Sequence, residues 1–246
     1  MKTTKALLGI LSITMALAVQ VQAQSFLTNG LVAYYPFNGN ANDASGNGNN
    51  GIFVPATSIS GGPTLTSNHL GVANSAYSFN SGSYVYAIVT NFPLANSART
   101  ISGWIKLNAS STTSEESVAS WVYGDNNAGD CTGAAFGLWA NFYAVNNGQN
   151  LYSWGSFNDV SAPYDFDFST FYFVADTYDG KGNVTLFVNG AAIAQENIGG
   201  YNTFTNNYLL RMGVSTHAPD WNNDYLDGSL DDIRIYNRAL ATNEIA

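Results

Sequence analysis

FYFVADTYDGKGNVTLFVNG, residues 171–190, sets two aromatic and β-branched runs on either side of a polar break. Such runs suit the pleated, half-buried surface of a strand. The break contains Asp179-Gly180, a dipeptide that favours the tight turns of antiparallel hairpins. Asn189-Gly190 then turns the chain again, into a third run at residues 191–195. Working outward, residues 31–37, 76–79, 84–88, 99–107, 117–123, 134–140, 151–154, 208–213 and 228–236 read as strands. In RTISGWIKL, residues 99–107, Ile101, Gly103, Ile105 and Leu107 share one face. Residues 59–73 and 108–116 read as loops, and residues 241–245 as a short C-terminal turn. Many short strands, frequent turns and no alternating helices predict an all-β sandwich of two sheets.

The chain opens MKTTKALLGILSITMALAVQVQA. Lys2 and Lys5 begin it, an apolar core follows at residues 7–19, and Val21-Gln22-Ala23 supplies the modest side chains of a cleavage site. That core is shorter than the ~20 residues of a spanning helix. Residues 1–23 are therefore expected to be a signal peptide, with the chain exported to the periplasm, the cell surface or the medium. No later stretch reads as a transmembrane segment. Residues 24–246 suit one large all-β domain.

The formal net charge is −9. Beyond the signal the basic residues are Arg99, Lys106, Lys181, Arg211, Arg234 and Arg238, scattered without a stripe. This distribution argues against nucleic acid and anionic lipid as partners. Cys131 is the one cysteine, so no intramolecular disulfide forms. A half-buried apolar role and a thiol pairing between chains both fit it.

Four segments carry a resemblance: LVAYYPFNGNANDASGNGNNG at 31–51, YSFNSGSYV at 77–85 with RTISGWIKL at 99–107, the 171–190 stretch, and LDGSLDDIRIYNRAL at 226–240. In this order they resemble the laminin-G-like jelly-roll domains of the concanavalin A-like lectin/glucanase superfamily, as found in bacterial exported proteins. The resemblance implies two curved antiparallel sheets and adjacent chain ends. It implies no single activity, because this fold hosts lectins, glycan-binding modules, glycosidases and adhesive domains. Residues 121–163 are longer and more aromatic than the usual connection. Specificity is expected there or in residues 214–227.

The glycosidases of this fold align two or three acids along one strand, and no such run occurs here. Asp165-Phe166-Asp167 alternates but reads as a loop or edge. His69 and His217 lie near no nucleophile motif. Oxygen-rich loops at residues 38–50, 124–130 and 220–227 have the donors calcium takes, although Asn, Asp and Gly are also ordinary turn formers. Asp43 stands in the family-like DASGNG motif and Asp231 in LDDIRIY. Pairing of the first and last strands would let the two acids share a structural Ca²⁺, with Arg234 as the rival counter-charge.

Sugars dock by stacking on aromatic rings and are oriented by a few polar groups. Trp121, Tyr123, Trp139, Tyr143, Tyr152, Trp154 and Trp221 are the candidate rings, while Trp104 reads as sheet packing. The preferred site is Trp221 with Asp220, Asn222 and Asp224, in a polar loop between two strands. The expectation is a non-catalytic binding or adhesion module with glycan as the leading ligand class. A structural or protein-interaction domain is the first alternative and a glycoside hydrolase the second.

Overall fold

The computed structural model describes residues 27–55, 62–79, 82–108, 116–121, 136–140, 149–155, 158–203, 209–214 and 225–245. In chain order the strands are β1 (Leu31–Tyr35), β2 (Ile52–Val54), β3 (Thr64–Thr66), β4 (Ala76–Phe79), β5 (Tyr84–Ile88), β6 (Arg99–Leu107), β7 (Glu116–Trp121) and β8 (Phe136–Ala140). They continue as β9 (Asn150–Trp154), β10 (Val160–Pro163), β11 (Tyr172–Tyr178), β12 (Asn183–Val188), β13 (Ala191–Asn197), β14 (Leu209–Met212) and β15 (Gly228–Tyr236), before one helical turn, α1 (Thr242–Ile245). No helix among the described residues is long and apolar enough to cross a membrane.

Among the described residues every strand pairing is antiparallel. An eight-stranded sheet runs β13-β12-β11-β6-β15-β4-β3, and β1 joins it beside β15; a seven-stranded sheet runs β10-β9-β8-β7-β14-β5-β2. The hairpin read from residues 171–190 is β11–β12, with Val174 opposite Val188 and Tyr178 opposite Val184. Asn189 and Gly190 both take positive φ, 48° and 81°, as a mirror-image hairpin turn requires.

One edge of β15 is shared between two partners. Residues 228–230 pair with β4, and residues 233–236 pair with β1. The first and last strands therefore do meet. The termini are clasped further: Arg238 grips both carboxylate oxygens of Glu244 at 2.7 and 2.9 Å and donates to the carbonyl of Asn29. The Tyr236 hydroxyl donates to the carbonyl of Leu27.

Between the sheets lies one apolar core. Ile101, Ile105 and Leu107 point into it, and Gly103 sits against Ile233 on the same face. The opposite face of β6 carries Trp104, half-buried. Each large apolar side chain moved from water into such a core contributes about 1.5–3 kcal/mol.

Three strands lie outside the sequence expectation. β3 occupies part of the segment expected to be loop, and β2 and β10 are also new. Each has three or four residues and lies at the edge of a sheet. So short a strand has too few residues to show a period, and only its partner makes it a strand.

Candidate functional site

The outer face of the seven-stranded sheet is unusually aromatic. Val85, Ala87 and Val89 enter the core, so Tyr84, Tyr86 and Ile88 face outward. Tyr86 lies directly opposite Arg211 of β14. Arg211 is half-buried there; burial lowers its pKa, while Tyr84 and Tyr225 raise it. Tyr84 and Tyr225 rings lie 6.4 Å apart at 42°.

This patch stands at the root of the loop between β14 and β15. Val214 and Tyr225 form a bridge, and the Leu226 N–H donates to the Gly213 carbonyl at 2.9 Å. Gly213 turns the chain out of β14 with φ +81°; a Cβ there would also lie 2.8 Å from the Phe79 ring. On the far side, the Asn108 amide donates to Asp227 Oδ1 at 2.7 Å. The preferred ligand residues Asp220, Trp221, Asn222 and Asp224 belong to this loop and lie outside the described residues, as do Tyr123, Tyr143 and Cys131. Both loop roots are placed, and they converge on Tyr84 and Arg211.

Further along the same face, Trp139 stacks between two rings, with Tyr152 at 5.9 Å and Trp154 at 4.9 Å. Gly137 lies opposite Trp154 and leaves room for this diagonal contact. Trp139, Tyr152 and Trp154 are at most 7% exposed. Their faces are spent on each other, so they brace the sheet and do not form an open platform.

The acids expected to share calcium have separate partners. Asp43 accepts the N–H groups of Tyr34, Ser45 and Asn49 and the Ser45 hydroxyl, all at 2.8–2.9 Å. Its charge raises the pKa of Tyr35, which is buried on the core side of β1; desolvation is the larger cause. Asp231 lies opposite Trp104. There it bonds His69, with Nδ1 to Oδ2 at 2.5 Å. Burial, chiefly, pushes the Asp231 carboxyl above its usual range, and His69 pulls it back. Arg234 pairs instead with Asp232, at 3.4 Å.

Asp167 accepts the Ser169 N–H and hydroxyl and the Thr170 hydroxyl, which holds its carboxyl below the usual range. The Asp165–Asp167 pair is thus a turn, as the loop reading expects. Inside the sandwich, Asp176 is fully buried with neither carboxylate oxygen hydrogen-bonded, and its pKa is pushed up to about 7 by desolvation. Its neighbour Arg99 lies over the rings of Phe136, Tyr178 and Tyr201.

Tyr84, Tyr86, Arg211 and His69 were not singled out as site residues from the sequence. The signal for the first two was present: β5 reads Tyr-Val-Tyr-Ala-Ile, apolar on both faces. A strand with one solvated face alternates instead.

Comparison with known proteins agrees with this architecture. The family model for the concanavalin A-like lectin/glucanases superfamily, Laminin_G_3, matches residues 79–246. No curated protein matches by sequence. Among solved structures, domain 4 of AbnA, a GH43 extracellular arabinanase from Geobacillus stearothermophilus in complex with arabinotriose, superposes with TM-score 0.66 at 19% identity, covering 87% of this chain and 96% of that one. The Botulinum neurotoxin serotype D ligand-binding domain in complex with N-acetylneuraminic acid gives TM-score 0.60 at 18% identity, covering 91% of this chain and 51% of that one. The binding domain of Paraclostridial Mosquitocidal Protein 1 gives TM-score 0.60 at 19% identity, with 89% and 51% covered. The chain thus spans about half of the two toxin domains. At these identities the likeness is one of fold.

Proposed function

We propose that this chain, which belongs to the concanavalin A-like lectin/glucanases superfamily, is an exported, non-catalytic carbohydrate-binding module. It holds its sugar on the outer face of the seven-stranded sheet. The observation that carries this reading is the Val214–Tyr225 bridge, which roots the loop of residues 215–224 beside Tyr84 and Arg211. Rigid strands bearing a polar loop are the usual construction of a binding site. Trp221 supplies a stacking face, Asp220, Asn222 and Asp224 accept and donate to hydroxyls, and the tyrosines form the floor. Two of the structures with this fold were determined with sugars, arabinotriose and N-acetylneuraminic acid.

Binding is favoured over glycoside hydrolysis by how the acids are used. Asp231 is tied to His69, Asp232 to Tyr34 and Arg234, and Asp167 to its own turn. A protein-interaction domain is the second reading. Leu70 is 74% and Val72 52% exposed, on a turn closed by the Asn68 side chain.

A glycan array followed by titration of the best neutral or acidic oligosaccharide tests the proposal. Trp221→Ala and Tyr86→Ala are each expected to weaken binding about tenfold or more, the cost of losing a stacking ring. Their melting temperatures should stay near wild type. A stability loss with undiminished sugar affinity, or an array without a hit, would overturn it.

A further inference from the structure

On the outer face of the eight-stranded sheet, far from any role in the sugar reading, three donor side chains converge. His69 comes from the turn between β3 and β4. Asp231 and Asp232 are consecutive on β15. One ligand atom from each lies within 4.8 Å of the other two. From this geometry we infer that His69, Asp231 and Asp232 form a binding site for a divalent ion of the zinc, cobalt and nickel type.

Consecutive residues of a regular strand point to opposite faces, so Asp231 and Asp232 could not otherwise meet one ion. A bulge makes it possible. Asp231 lies opposite Trp104 and Arg234 opposite Ser102, so β15 spends one extra residue here, and Asp232 takes φ +54°. Bulges re-aim side chains in this way.

The donors are held as ligands are held. The Trp104 ring stacks on the imidazole of His69 at 4.1 Å and 6°, fixing its plane. The turn carrying His69 is closed by Asn68, whose side-chain oxygen accepts the N–H groups of Leu70 and Val72. Tyr34 donates its hydroxyl to Asp232 Oδ1, and Arg234 reaches the same oxygen at 3.4 Å. Such outer partners orient the groups that touch a metal.

Each acid keeps one oxygen back. Both bonds from His69 go to Asp231 Oδ2, and both bonds to Asp232 go to Oδ1. Asp231 Oδ1 and Asp232 Oδ2 have no hydrogen bond among the described residues. The Asp231 side chain is only 2% exposed. Two carboxylates beside one Arg234 leave a net negative charge for a cation to neutralise.

The donor set selects the ion. Calcium and magnesium take oxygen ligands, while an imidazole with two carboxylates suits borderline divalent metals. An ion on His69 Nδ1 takes the place of the proton now held between Nδ1 and Asp231 Oδ2, so binding releases that proton to solvent and moves the two atoms apart to admit ligand distances of about 2.0–2.2 Å. Three protein ligands leave the remaining position to water.

The test uses the purified chain freed of metal with a chelator. Zinc at about a hundredfold its dissociation constant is expected to raise the melting temperature by about 5–10 °C, reversed by EDTA. Cobalt should give the visible absorption of a low-coordinate nitrogen–oxygen site. Asp232→Asn and His69→Gln should each abolish both responses, whatever they do to the metal-free melting temperature. Wild type indifferent to zinc, zinc responses that survive both substitutions, or an equal response to calcium would each overturn the assignment.

Discussion

Replacing Asp176 with Asn should change how stability depends on pH. Asp176 lies on the inner face of β11 opposite Ile101, wholly enclosed. Its oxygens receive no hydrogen bond; the nearby Ser153 hydroxyl is shared with the Tyr201 hydroxyl at 3.2 Å. Arg99 sends Nε to the Ser97 carbonyl and Nη2 to the Ala95 carbonyl, so it attracts Asp176 only from a distance. Desolvation therefore dominates, and Ser153 and Arg99 recover only part of the loss, leaving the pKa at about 7 against an ordinary 3.8.

The direction follows from linkage. The unfolded chain releases this proton near pH 3.8, whereas the folded chain keeps it until about pH 7. The contribution is fully present below the lower value and is lost as pH rises through the upper one. Three pH units at about 1.4 kcal/mol each give roughly 4 kcal/mol. Water entering the site offsets part of this, so the figure is a ceiling. Asn cannot ionise. Urea unfolding of wild type and Asp176→Asn between about pH 4 and pH 8 should show the difference moving toward the variant by up to about 4 kcal/mol. A difference that stays constant across that range, or moves the other way, would refute the reasoning.

Gly103→Ala should destabilise the sandwich by about 1–3 kcal/mol, seen as a lower melting temperature, because its Cβ would fall 2.3 Å from Ile233 Cδ1. Ile233→Val removes that atom and should restore part of the loss; a neutral Gly103→Ala would show that the two strands adjust freely. Export with removal of residues 1–23 predicts that N-terminal sequencing of secreted protein begins at or near Gln24, and an intact Met1 on exported protein would count against it.

The sequence determined the strands that have length and alternation of their own. β6 was legible because Ile101, Gly103, Ile105 and Leu107 recur at a period of two, and β11–β12 because Asp179-Gly180 divides two apolar runs. The family-like segments at 31–51 and 226–240 also pointed correctly to a first and a last strand that pair. Local pattern suffices there, since each residue's preference and its neighbours' agree.

Tertiary structure alone decided the rest. The edge strands β2, β3 and β10 exist through their partners. His69 and Asp231 are 162 positions apart, and no local signal joins them. Asp43 and Asp231 stand in motifs that do meet, yet Asp43 is spent on the N–H groups of Tyr34, Ser45 and Asn49 and on the Ser45 hydroxyl, while Asp231 lies opposite Trp104 and bonds His69. Asp232 joins Asp231 only through a bulge that composition does not announce. Trp139 was legible as a candidate stacking ring but not as one whose faces are taken by Tyr152 and Trp154, which needs the register of β8 against β9. Sequence pattern reports which face of a strand is apolar; which strand lies beside it, and in what register, is set by packing that spans the whole chain.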